Sequence, residues 1–270
     1  MNNLHRELAP VSDEAWTQIE DETARTLRRY LAGRRVVDVS EPGGPAVSAV
    51  GTGHQKAIDP PADGVQARQR EALPLVELRV PFSLNRDQID DVARGAADSD
   101  WRPAREAARQ IAFAEDRAIF DGYPAAGIGG IVPGASNPPV TLPGDIAAYP
   151  MAFAQAVGQL RAAGVDGPYT AVLSADTYMA VSEASDHGYP VIRHLRNLLD
   201  GELIWAPAVT GAVLLTTRGG DFSLHVGQDL SIGYLSCTDT EVQLYLQESF
   251  TFQLLTQEAA VRLAAPGSTD

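Results

Sequence analysis

A single cysteine, Cys237, occurs in the 270 residues, so no disulfide staples the chain and no cysteine pair can hold a metal. Lysine is as scarce. Lys56 is the only one, so chemistry built on a positioned lysine rests on one residue in a Gly/Pro-flanked loop. Positive charge is in deficit: 21 basic residues face 35 acidic ones, giving a net −14 and a pI near 4.7. That balance argues against a nucleic-acid surface, which needs a basic stripe, and favours a soluble protein with a charged assembly surface. No apolar run approaches the ~20 residues of a membrane span. The first residues, MNNLHRELAPVSDEAW, lack the apolar core of a signal peptide. A cytosolic setting is the expectation, and any release would need a non-classical route.

Catalytic constellations are missing too. There is no HExxH, no GxSxG and no P-loop. The five histidines, at 5, 54, 187, 194 and 225, lack metal-ligand spacing. Asp186 and His187 beside Ser182 or Ser185 suggest a fragment of a hydrolase, but the spacing supplies no triad. The glycines of AAGIGGIVPG have neither a leading strand nor a following lysine, so they do not form a phosphate loop.

What is present is organised around residues 101–123, WRPAREAARQIAFAEDRAIFDGY. Pro103 fits a first helical turn and Gly122 ends the run. Trp101, Ala104, Ala107, Ala108, Ile111, Ala112, Ala118 and Ile119 fall on one side, with Phe113 and Phe120 nearly opposite. A helix apolar on two sides must be covered on two sides, so this is an interior spine. Glu115 sits within the small-residue face and requires a partner, an arginine for choice. Its role is open between a structural ion pair and a tuned acid.

Residues 12–31 form a second helix, capped by Ser12, acidic at its start and basic at its end. Its stripe of Trp16, Ile19, Thr23, Leu27, Tyr30 and Leu31 suits ordinary core packing or the wall of a peptide groove. Val36, Val37 and Val39 predict a short strand around Asp38. Residues 41–72 are rich in Gly, Pro, Ala and Ser and cannot hold a core. They are either a disordered insertion or an extended hairpin arm that lies on a neighbouring chain. Residues 73–84 alternate as a strand, and a short helix starts near Asn85. Helices at 150–163, 176–184 and 191–199 between apolar strands at 170–175, 203–207 and 212–217 predict an α/β unit. SDHGYP (185–190) is a turn-forming loop and RGGDF (218–222) a hairpin turn. One strand over SLHVGQDLSIGYL, another over 241–255 and a last apolar turn, AAVRLAA, complete the chain.

Several stretches, in order, resemble the encapsulins, bacterial nanocompartment shell proteins of the actinobacterial, linocin and culture-filtrate-antigen type. They include NNLHRELAPVSDEAW, GRRVVDV, LPLVELRVPFSL with IDDVARG, AFAEDRAIFDGY, GVDGPYT, the DHGYP loop, RGGDFSLHVGQDLSIGY and LYLQESFTFQLLTQEA. The resemblance covers nearly the whole chain. It implies an α+β fold, that of the tailed-bacteriophage major capsid protein. Residues 1–40 would carry the N-terminal helix and the start of the peripheral domain, and 41–72 the extended arm, or E-loop. The peripheral domain with its spine would fill 73–129, the axial domain 130–217, and 218–270 would return to the peripheral domain.

The resemblance further implies self-assembly into a hollow icosahedral shell, typically of sixty copies, that is not itself an enzyme. The shell would hold a cargo enzyme by its C-terminal peptide. The cargo would be a dye-decolourising haem peroxidase, with a ferritin-like protein as the alternative. The peptide groove would be formed by Leu27, Arg34, Asp38, Val39, Leu230, Ile232 and Tyr234. Ser185, Asp186, His187, Gly188 and Tyr189 would line a five-fold pore, unless the loop is a packed corner. A flavin-binding member of the family has a tryptophan where this chain has Asp87. A carboxylate cannot stack on a flavin ring, so no cofactor is expected.

Overall fold

The computed structural model describes residues 3–265. Helix α1 (Asp13–Tyr30) starts where Ser12 Oγ accepts the Ala15 N–H at 3.2 Å. It buries Ala15, Trp16, Ile19 and Thr23. A single 3-10 turn, Gly33–Arg35, then takes the backbone that Val36 and Val37 were expected to give to a strand. Both their N–H groups bond to Gly33 O, so only β1 (Asp38–Val39) remains extended.

The segment 41–72 resolves as a hairpin. Strands β2 (Ala49–Ile58) and β3 (Ala67–Pro74) pair antiparallel, with an irregularity between Gly51 and Gln55. Neither strand has a buried residue. The arm's two ends meet at its root, where the Leu75 N–H bonds Ser48 O at 2.9 Å.

Strand β4 (Val76–Asn85) turns Phe82 and Leu84 into the core, as its alternation predicts. Asn85 caps α2 (Arg86–Ala93) through the Asp87 N–H. Helix α3 (Arg102–Phe120) is the spine. Beyond it, the glycine run packs backbone on backbone. A Cβ at Gly130 would sit 2.3 Å from Gly122 N, and φ there is +74°, so this crossing needs glycine for space and not for phosphate. A short helical turn, α4 (Ile131–Gly134), and strand β5 (Val140–Thr141) lie within what reads as irregular crossing.

The α/β unit follows as α5 (Tyr149–Ala162), β6 (Tyr169–Leu173), α6 (Ala175–Glu183), β7 (Ser185–Asp186), β8 (Tyr189–Pro190) and α7 (Val191–Leu198). Strands β9 (Leu203–Trp205) and β10 (Ala212–Thr216) complete it. Residues 218–222 do not form the expected hairpin turn. They carry the chain from β10 in one sheet to β11 (Phe222–Val226) in the other.

The single strand expected over SLHVGQDLSIGYL divides into β11 and β12 (Ser231–Cys237). Both pair with β13 (Glu241–Leu254), opposite the edge that pairs with β4. Between them, Gly227 N–H bonds Ser249 O and the Ser249 N–H bonds Gln228 O, two residues facing one, which is a bulge. The last apolar segment is not a turn but strand β14 (Ala260–Ala264).

Two five-stranded sheets result. In the first, β13 is central, with β4 on one edge and β11 and β12 on the other, and β1 parallel to β11. The second runs β5-β14-β10-β6-β9. Residues 218–265 are thus shared between the sheets, since β14 pairs with β10.

The hydrophobic interior has two parts. One lies between α1, α2, β4, β12 and the first half of α3, through Ala104, Ala107, Ala108 and Ile111. The other surrounds the second sheet and takes Ala118, Ile119 and Phe120 from the far end of the same helix. Strand β13 spans both as well, with Leu244 and Leu246 in the first and Phe250 and Phe252 in the second.

Candidate functional site

Arg34 and Glu115 are each other's partners. The Arg34 guanidinium donates to both Glu115 oxygens at 2.6–3.0 Å, to Asp229 at 2.7 Å and to Glu248 at 3.2 Å. Glu115 is fully buried, so the arrangement is a structural ion pair rather than an acid open to substrate. Burial works against the Arg34 charge, but the hydrogen bonds and charges of Glu115 and Asp229 more than offset it, and its pKa is raised. The Glu248 carboxyl is raised well above its ordinary value, first by burial and then by the Glu115 charge. The next carboxyl, Asp116, accepts the Gly33 and Ala32 N–H groups at 2.8 and 3.1 Å. Burial pushes it up to about 7 against the pull of those two donors. A Cβ at Gly33 would meet Ile119 Cδ1 at 2.6 Å, so any larger residue here would displace the end of the Ile119 side chain.

This cluster lies behind an apolar groove. Asp229 accepts from both Arg34 and the Leu230 N–H, and so ties the cluster to the start of β12. Leu27 from α1, Leu230 just before β12 and Ile232 within it face one another across a groove of about 290 Å³. Leu4, Arg6 and Glu20 close its rim, with an ion pair of 2.6 Å between the last two. Tyr234 borders the same apolar cluster, and its N–H bonds Leu4 O at 2.8 Å.

The seven residues expected to form the peptide groove therefore separate. Leu27, Leu230 and Ile232 converge, Tyr234 flanks them, and Arg34 supports them with its donors committed internally. Asp38 and Val39 stand apart, paired with Ser223 and Leu224 at a depression of about 100 Å³. Neither lines the groove of Leu27, Leu230 and Ile232. Asp38 is occupied at that depression, accepting the Gly220 N–H at 2.6 Å. The contribution of the N-terminal segment was missed. Asn3 reaches Gln228 and accepts from Tyr245 OH, contacts more than 200 residues apart that no local pattern signals.

Ser185 to Tyr189 form a two-residue hairpin, β7 to β8, with Asp186 opposite Tyr189. His187 and Gly188 both have positive φ, the conformation such a tight turn demands. The His187 side chain is 99% exposed on the subunit, 3.7 Å from Asp186. Tyr189 stacks on His194 at 4.5 Å and anchors the hairpin's base. Ser182 Oγ donates to Tyr178 O in its own helix and not to His187, so no triad forms. Among the described residues no group of three His, Cys, Asp or Glu side chains is placed to hold a metal. No described helix is long and apolar enough to cross a membrane.

A spine helix shared by two cores, an arm without a core and a second α/β unit together define a capsid-type subunit. Solved structures share this fold. The virus-like particle from Pyrococcus furiosus matches with a TM-score of 0.65 at 16% identity, over 93% of this chain and 99% of that one. The capsid of Myoviridae phage XM1 matches with a TM-score of 0.53 at 13% identity, over 85% and 89%. In sequence, a family model described as "Encapsulating protein for peroxidase" matches residues 1–251. The type 1 encapsulin shell protein of Rhodococcus erythropolis is 59% identical over 98% of this chain and all of its own length. That of Mycobacterium tuberculosis is 57% identical over the same shares. The chain belongs to the encapsulin shell-protein family, whose members are named as structural components and not as catalysts.

Proposed function

We infer that copies of this chain close into an icosahedral container of sixty subunits, with T=1 geometry, in the cytoplasm. The observation that carries this reading is the arm. Its strands expose backbone and side chains on both faces, and a two-stranded ribbon without a packed face is at best marginally stable alone. A neighbouring copy supplies the missing surface, so folding of the arm and assembly are coupled.

The container encloses an enzyme whose C-terminal peptide lies in the groove of Leu27, Leu230 and Ile232. One shallow groove of this size holds a peptide weakly, and repetition around a shell multiplies the effect. The description of the family model, with its peroxidase, supports a dye-decolourising haem peroxidase as that cargo. A ferritin-like protein is the alternative. The exposed His187 hairpin, repeated about a five-fold axis, lines a pore.

Co-expression with a peptide-tagged cargo tests the groove. Ile232→Asp, and separately Leu230→Asp at a half-buried position, should leave particles intact while cargo per particle falls at least about tenfold. Intact particles carrying full cargo in both variants would refute the groove assignment.

A further inference from the structure

On the side of α1 away from the apolar groove lies a larger depression of about 570 Å³, between α1 and α3. Arg25, Arg29, Arg102, Arg105 and Arg109 line it. Those are five of the 21 basic residues of a chain with net charge −14, so the clustering runs against the composition. Glu22 and Glu106 also line it, and Asp100 stands at its edge. Glu22 pairs with Arg25 and lies 3.8 Å from Arg105, Glu106 pairs with Arg109, and Asp100 pairs with Arg102. Three carboxylates thus face five guanidinium groups. Arg29 makes no ion pair among the described residues. Its guanidinium lies over the contiguous Tyr30 and Trp205 rings, 5.8 and 5.6 Å from their centroids.

We propose that this arginine groove binds a short phosphate chain, the inorganic tripolyphosphate or nucleoside triphosphate class. Guanidinium forks match phosphate oxygens in pairs, and the exposed Arg102–Asp100 and Arg109–Glu106 pairs are weak enough to be exchanged for a ligand. The volume falls in the range of small-ligand sites. Tyr30, at the wall, packs on Phe113 and Trp205 and stays half-buried, so a base would reach its ring by displacing the Arg29 guanidinium that lies over it. A long nucleic acid would have to continue over acidic surface, whereas a short chain ends within the groove.

Titration calorimetry on assembled particles at low salt, with sodium tripolyphosphate and separately with ATP, tests this. Saturable binding of tripolyphosphate is expected, weakened at least about tenfold by Arg29→Gln combined with Arg105→Gln. Arg196→Gln, on α7, should leave it unchanged. Tighter binding of ATP would place the base on Tyr30, and equal binding would assign recognition to the phosphates alone. The proposal fails if binding does not saturate, if Arg196→Gln weakens it as much, or if a hexaglutamate peptide binds as tightly. It also fails if the double variant changes particle yield but not tripolyphosphate affinity, which would make the groove a contact between subunits.

Discussion

Asp116 gives the junction of α1, the 3-10 turn and α3 a pH dependence opposite to that of ordinary paired carboxylates. Its pKa rises from 3.8 to about 7 on folding, because burial outweighs two backbone donors. Between pH 4 and 7 the folded chain holds a proton that the unfolded chain has released. The contribution of Asp116 is therefore fully present below pH 4 and is lost as pH rises to 7, by at most about 4 kcal/mol. Asp116→Asn cannot titrate, and its amide must turn an N–H toward one backbone donor, at a cost of about 1–3 kcal/mol. Melting temperatures should show the wild type ahead of this variant by most at pH 4, with the gap narrowing toward pH 7. A gap that widens would show that the N–H donors dominate. At this scale the sequence was half legible. A carboxylate on the small-residue face of a helix announces that Glu115 needs a cation, but not that Arg34, 81 positions earlier, supplies it. Asp116 gave no signal, since its partners are main-chain groups presented by a turn that the valines disguised as a strand.

Among the elements, those specified by local pattern were readable. The caps and charges of α1, the two-sided apolar surface of α3 and the alternation of β4 each carry their conformation within a dozen or so residues. The bulge between β11 and β12 and the pairing of β14 were not, because both are decided by distant strands. The hairpin arm was legible as a segment without a core, and its geometry yields a prediction. Ser48 and Leu75 already touch, so residues 49–74 can be excised and the ends rejoined by a short glycine-serine link. The shortened chain should keep the circular dichroism of a folded body and elute as a subunit of under 29 kDa. Normal particles formed without the arm would remove its role in assembly. The groove was partly legible. Leu27, Leu230 and Ile232 line one groove, but the rim of Leu4 and Arg6 depends on where the N-terminal segment crosses β12.

For the whole molecule, the surplus of fourteen negative charges means that assembling copies repel one another. Salt screens exposed charges beyond about 8 Å at physiological strength, so particles should gain stability as salt is added. Size-exclusion chromatography across a salt series at pH 8 should show a peak near the void volume. Any trailing 29 kDa species should grow as salt is withdrawn. A subunit peak that grows as salt is added would mean that opposite charges across the contacts dominate the balance. The membership of α3 and β13 in both cores has one more consequence. No soft seam divides the body, so each subunit behaves as a rigid tile. In the proposed container, whatever bending a closed surface demands would then fall to the slender ribbon reaching from one tile to the next, and its tilt at Ser48 and Leu75 would set the curvature of the wall.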